Sequence, residues 1–406
     1  MTVRVNKSSF NIREKLSELG RKFGLKGSEL AAAETVQEAR EVVSAGRKNL
    51  VINGAMSINQ RYGTSSHTIP NATGGTYVLD RWAINEATDG SVSVNMDGDP
   101  GGGNGAGLEV QEFTKAMQIA CTGTDTSIGS TQNLHFFQNI EGYNTIGLKW
   151  GTTFASDVTL SFWVRSNVPG IYCVGLENNA TNRSCIKEYT VNSGFKWQKV
   201  VLTFPGCTDG TWVKDNGCGI RLRFCLATGD SYNDGVDGVW GTTDELSTGN
   251  QTNFMTSTNN RFFITGVQLE KGRNATDFEH RPRGEELLLC QRYYQKIYYT
   301  TSDYPFGYCY TYNQGDSACA VPLSTPMRIS NPDIDAQLLR IRGYNQNGAN
   351  DGVNHTGISG QTQEEHAMLQ LNVNHDNVPS AAVGAASVLT NRVSNSTSYL
   401  AVAAEL

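Results

Sequence analysis

Eight consecutive residues constrain the fold more than any other feature. Val158-Thr-Leu-Ser-Phe-Trp-Val-Arg165 alternates without a slip, with Val158, Leu160, Phe162 and Val164 on one side and Thr159, Ser161, Trp163 and Arg165 on the other. Such a period of two belongs to a half-buried strand, because successive side chains leave a pleated backbone on opposite faces. Ile220, Leu222, Phe224 and Leu226 alternate in the same way against Arg221, Arg223 and Cys225. Residues 76–84, 134–140, 189–191, 197–204 and 262–269 are further strand candidates, separated by turn-rich stretches such as 97–107 and 230–241. Short alternating strands at this density predict an antiparallel β-sandwich, a jelly roll. Composition agrees: glycine (43) and asparagine (35) together outnumber the 72 charged residues, which favours turns over long amphipathic helices. The 37 aromatic residues supply core volume and argue against disorder.

Helix signals concentrate at the start of the chain. Residues 1–48 hold ten basic and six acidic side chains, so this part carries +4 while the remainder carries −10. Asn11 with Glu14 has the spacing of a capping box, and Ile12, Leu16, Leu19 and Phe23 then fall on one stripe. A second stripe carries Ala32, Val36, Ala39 and Val43 before Gly46. Each stripe is too short to hold a coiled coil alone. The expectation is therefore a helical attachment and oligomerisation arm over 1–48, docking through Ile12, Leu16, Leu19, Phe23, Val36 and Val43.

The sandwich is expected over 49–283 and a short helical linker over 284–296. A smaller β-rich C-terminal module follows over 297–406, so the fold class is mainly β. The region around 293–312 contains half of all the tyrosines, and residues 399–406 read as a last strand.

Chemistry-bearing motifs are scarce. The chain has no GxSxG, HExxH or P-loop, and no GxGxxG at a strand–helix junction. A net charge of −6 argues against a nucleic-acid footprint, and no apolar run is long enough to insert in a membrane. Nine scattered cysteines without a CxxC read as reduced, packed thiols rather than a disulfide framework or a zinc site. The six histidines show no ligand-like spacing, and those at 355, 366 and 375 read as loop residues. No cofactor is expected; structural calcium at the acidic turns around Asp97 or Asp230, Asp234 and Asp237 stays open. Adjacent Glu285 and Glu286 fit a helix start, where the dipole favours acids.

The best binding signal is aromatic. Trp163 shares a strand face with Arg165, and a ring beside a donor is what a sugar needs: the ring face stacks on C–H bonds while hydroxyls are hydrogen-bonded. Tyr304, Tyr308 and Tyr310 form a second such group. Each group would equally serve a subunit interface or be covered by a neighbouring segment.

Several motifs occur in a telling order: Arg4-Val-Asn-Lys-Ser-Ser-Phe-Asn-Ile-Arg-Glu-Lys-Leu16, Asn49-Leu-Val-Ile-Asn-Gly-Ala-Met56, Leu79-Asp-Arg-Trp82, Ser161-Phe-Trp-Val-Arg-Ser166, Ile264-Thr-Gly-Val-Gln-Leu-Glu270, Phe278-Glu-His-Arg281 and Gly284-Glu-Glu-Leu-Leu-Leu-Cys-Gln-Arg-Tyr-Tyr-Gln295. Over residues 1–295 the chain resembles virion fibre and adhesin proteins of tailed bacteriophages, marine and cyanobacterial ones especially, with a carbohydrate-binding-module-like jelly roll. The resemblance implies a non-enzymatic virion protein, made in the bacterial host cytoplasm. It also implies a homotrimer anchored by its N-terminus to tail or portal-proximal proteins and contacting host surface polysaccharide. Asn53-Gly54 is then expected as a turn, Trp82 as core, and Val267 and Leu269 on a buried strand face. The alternatives are a collar, nozzle-associated or head-decoration protein without ligand and, less favoured for want of β-helix repeats, a polysaccharide-degrading tailspike.

Overall fold

A computed structural model describes residues 47–69, 72–97, 112–298, 305–343, 353–363, 365–375, 386–391 and 398–406. The proposed N-terminal arm, with Ile12, Leu16, Leu19, Phe23, Val36 and Val43, lies outside them.

Among the described residues, thirteen strands precede the linker helix: β1 (His67–Thr68), β2 (Ala72–Leu79), β3 (Trp82–Glu86), β4 (Ser91–Asp97), β5 (Ala116–Gly123), β6 (Asn133–Glu141), β7 (Val158–Ser166), β8 (Gly170–Glu177), β9 (Ser184–Val191), β10 (Gln198–Phe204), β11 (Cys218–Thr228), β12 (Trp240–Gly241) and β13 (Arg261–Lys271). They form a six-stranded sheet in the order β1-β4-β5-β13-β7-β10 and a seven-stranded sheet in the order β12-β9-β8-β11-β6-β3-β2. The strand pairs within both sheets are antiparallel. Val158, Leu160, Phe162 and Val164 of β7 and Ile220, Leu222, Phe224 and Leu226 of β11 fill the space between the sheets. The Phe224 ring stacks on Phe136 at 4.8 Å and meets the Phe162 ring edge-on at 5.1 Å. The alternation thus assigned the core faces correctly, and the sandwich is a jelly roll of the expected kind.

Residues 76–84 are two strands, not one. Arg81 adopts a left-handed φ of 71°, and the chain reverses between Leu79 and Trp82, which face each other across the turn. The continuous apolar texture hid a reversal whose turn residues, Asp80 and Arg81, are themselves buried.

The helix α1 (Arg283–Gln291) leads, among the described residues, into nine further strands: β14 (Tyr294–Tyr298), β15 (Pro305–Thr311), β16 (Asp316–Pro322), β17 (Asp333–Gln337), β18 (Leu339–Gly343), β19 (Val353–Gln363), β20 (His366–His375), β21 (Ala386–Asn391) and β22 (Tyr399–Ala403). β15-β16-β20-β19-β18-β21 close into a barrel, and β14-β22-β17 form a three-stranded sheet beside it. This half has its own core around Val321, Leu339, Leu369, Leu371 and Leu389.

Two sequence expectations are corrected here. Cys309 and Cys319 form a disulfide, because they are directly opposed across the β15–β16 hairpin; the other seven cysteines are buried free thiols. The three late histidines lie in strands β19 and β20 rather than loops, and His375 is buried against the Ser317 hydroxyl at 3.0 Å.

Candidate functional site

The outer face of the six-stranded sheet carries the first group singled out by sequence. Trp163 is only 6% exposed and belongs to a small satellite core with Phe113, Trp197 and Phe263. Its cover comes from the chain itself, where the segment bearing Phe113 lies over a bulge in β13. Gly266, with φ of 63°, makes that approach possible: a Cβ there would stand 2.6 Å from Phe113 Cζ and 3.1 Å from Trp163 Cδ1. Trp163 is therefore not an exposed sugar platform. Alternation told which side it faces but not that a distant loop covers that side.

Arg165 is different. It is half-buried, with its guanidinium carbon 4.3 Å from the Phe263 ring centre, 4.6 Å from Phe195 and 5.2 Å from Trp197. Its Nε has no hydrogen-bond partner among the described residues. Burial works against its charge, and Asp97 across the sheet favours it. The register explains why these groups meet: Phe263 pairs with Arg165 on one side and with Gln118 on the other, and Gln118 pairs with Asn95. Gln198 opposes Val164, so the same register brings Trp197 beside Arg165. One row across the sheet therefore reads Asn95, Gln118, Phe263, Arg165, Trp197. Two carboxamides can donate and accept, and the guanidinium set among three rings carries further N–H donors. That combination suits a hydroxyl-rich ligand lying across the strands.

Tyr308 and Tyr310 do not join this row. They stand 76% and 54% exposed on the outside of the barrel, flanked by Ala318 and Ala320 of β16 and by Ala386 and Val388 of β21. Tyr304 lies outside the described residues. Sequence reading missed Phe195, Trp197, Phe263, Gln118 and Asn95. Trp197 and Phe263 lay in expected strands and Phe195 beside one, whereas β4 and β5, which carry Asn95 and Gln118, were not expected as strands; strand order, which brings all five to one row, is not written in local pattern.

Among the described residues no three His, Cys, Asp or Glu side chains converge as a metal site. Glu177 and Asp244 do come together on the other sheet, but Arg223 bridges them at 3.0 and 2.7 Å and Arg221 contacts Glu177 at 3.0 Å. These carboxylates are committed to an ion network.

No protein-family model matches the sequence, and no curated protein matches it. Among solved structures, the enzymatically active domain of tailspike protein 4 from bacteriophage CBA120 is 12% identical with a TM-score of 0.27; the match spans 55% of this chain and 21% of that one. A CBM4 structure is 16% identical at a TM-score of 0.27, over 54% of this chain and 97% of that one. The family 11 carbohydrate-binding module of Clostridium thermocellum, in complex with a β-1,3-1,4-mixed-linked tetrasaccharide, is 12% identical at 0.25, over 52% and 99%. At these scores the sandwich stands on its own strand order and register.

Proposed function

We propose that this chain is a non-enzymatic structural component of a phage virion, a short homotrimeric fibre or adhesin that contacts host surface glycan through the Arg165 face. The observation carrying the glycan reading is the row Asn95–Gln118–Phe263–Arg165–Trp197, in which carboxamides and aromatic rings flank the Arg165 guanidinium. The virion reading is supported by the ordered motifs through residues 1–295. Three copies would multiply the effective concentration of a weak site, which is how a shallow sugar face becomes useful.

A glycan array with the intact protein tests the first part. Arg165→Ala should weaken the strongest signals at least tenfold, about 1.4 kcal/mol; an array indifferent to that substitution overturns the site. Light scattering tests the second, with the expected mass three times 44.2 kDa. A stable monomer at micromolar concentration would sink the trimer.

The burial of Trp163 favours one other reading, an architectural collar or decoration protein without ligand. It predicts a silent array and loss of particle assembly when residues 1–46 are deleted.

A further inference from the structure

One face of the three-stranded sheet beside the barrel lines a cavity. Along the middle strand β22 it shows Ala401 and Ala403, with Tyr399 at one end. The flanking strand β14 places Tyr294 and Lys296 opposite those alanines, and β17 places Asp333 and Asp335 opposite them on the other side. Two small residues between two rows of long ones make a trough. The turn bearing Arg61 and Tyr62 reaches over from the sandwich to close one end, leaving a cavity of about 240 Å³. Clefts around drug-sized ligands span roughly 300–1,000 Å³, so this one suits a single ring.

The walls are already fixed. The Arg61 guanidinium lies 3.6 Å over the Tyr294 ring and is paired with Glu405 at 2.8 Å. Lys296 Nζ stands 4.4 Å over the Tyr399 ring and donates to the Arg61 carbonyl at 3.2 Å. The Tyr399 hydroxyl donates to Asp335 at 2.6 Å, and Tyr62 stacks on His67 at 4.0 Å. Groups held in this way lose little conformational freedom when a ligand arrives. Burial raises the Tyr294 hydroxyl to about 12, so it remains a neutral donor at any ordinary pH.

Charge selects among ring-shaped ligands. Arg61 is answered by Glu405, which leaves Lys296 against the exposed carboxylates Asp333 and Asp335. A uronic or sialic acid would meet two carboxylates and one ammonium. A neutral ring with several hydroxyls meets acceptors on one wall, a donor on the other and aromatic surface at the ends.

We infer that this trough is a second carbohydrate site, separate from the Arg165 face, that takes one neutral hexopyranose unit. It stands on its own geometry and does not depend on the Arg165 reading.

The test is saturation-transfer NMR on the full chain with methyl glucoside, methyl galactoside and methyl mannoside, alongside glucuronic acid and glucosamine. At least one neutral methyl glycoside should bind. Measured in an Arg165→Ala background, which removes the sheet face from the reading, Asp335→Asn and Tyr399→Phe, each nearly isosteric, should weaken that binding at least fivefold. Absence of binding by all three neutral glycosides overturns the inference, as does a preference for glucuronic acid or glucosamine. Binding abolished by Arg165→Ala but insensitive to both trough variants also overturns it, and would leave the sheet face as the sugar site. Circular dichroism of each variant guards against misfolding; should Asp335→Asn unfold, the exposed Asp333→Asn takes its place with the same expected loss.

Discussion

At the scale of single residues, the Asn53-Gly54 pair shows how much a turn can carry. Asn53 is fully buried with a left-handed φ of 58°, a conformation asparagine tolerates better than most. Its side chain accepts from the amides of Ser57 and Ile58 at 2.9 and 3.0 Å and donates to the carbonyls of Ile58 and Asp80 at 2.8 and 2.9 Å. Its carbonyl takes the Trp82 indole N–H at 3.1 Å, and its amide donates to Glu286 of α1. Gly54 passes so close to β13 that a Cβ would overlap the Val267 carbonyl oxygen. Asn53→Ala should therefore cost about 3–5 kcal/mol in denaturant unfolding, since several buried polar groups lose partners together. A loss below about 1 kcal/mol would mean the turn relaxes around the change. His135 gives a pH signature at the same scale. Burial, aided by Arg223 and Arg221, pulls its pKa down to about 3. The unfolded chain takes up a proton below its ordinary value near 6.5 while the folded chain does not, so stability falls as pH drops from there towards 3. His135→Gln should remove about 2–3 kcal/mol of the wild-type difference between pH 6.5 and 4.5. Parallel stability–pH curves for the two proteins would exclude this role.

Elements were legible to the extent that their pattern is local. β7 and β11 could be read from alternation because one face of each meets the core along its whole length. The Asn53-Gly54 turn and the buried positions of Trp82, Val267 and Leu269 also agree with the reading from sequence. What failed depended on partners far away in sequence. Trp163 stayed open between a sugar platform and a covered position because nothing near it in sequence announces the cover from Phe113. The trough joins residues near 61, 295, 334 and 400, brought together only by the pairing of β14, β22 and β17. The 309–319 disulfide was missed for a similar reason, since a ten-residue separation says nothing until a hairpin places the two cysteines opposite each other. That crosslink closes a short loop in the unfolded chain, worth about 2–3 kcal/mol by loop entropy. The double variant Cys309→Ala/Cys319→Ala should lose about that much stability in its C-terminal half, and a reducing agent should reproduce the loss in the wild type. An unchanged denaturation midpoint in both experiments would contradict it.

For the whole molecule, the question is what joins sandwich to barrel. Their cores are separate, yet the segment after β22 is locked into the sandwich. Arg81, 1% exposed, lies 3.5 Å over the Tyr293 ring, donates to the Asn139 carbonyl at 2.5 Å and pairs with Glu405. Glu405 also holds Arg61, while Arg328 donates to the carbonyls of Ala404 and Glu405 at 2.7 and 2.6 Å and to that of Asn216 at 2.7 Å. Glu405 thus answers two arginines at the seam, and one of them has almost no access to water. Removing a single partner from a buried ion pair costs about 3–5 kcal/mol, because the remaining charge is stranded. Glu405→Ala should consequently do more than lower stability; it should uncouple the halves. All six tryptophans fall between residues 82 and 240, so their fluorescence follows the sandwich alone, whereas far-ultraviolet circular dichroism follows both halves. In the wild type the two signals should unfold together. In Glu405→Ala part of the dichroism should be lost at lower denaturant, before tryptophan emission moves, and Glu405→Gln should fall between because it keeps an acceptor for Arg81. Coincident transitions at the wild-type midpoint in Glu405→Ala would show that the seam is held by its remaining hydrogen bonds, with the carboxylate contributing little.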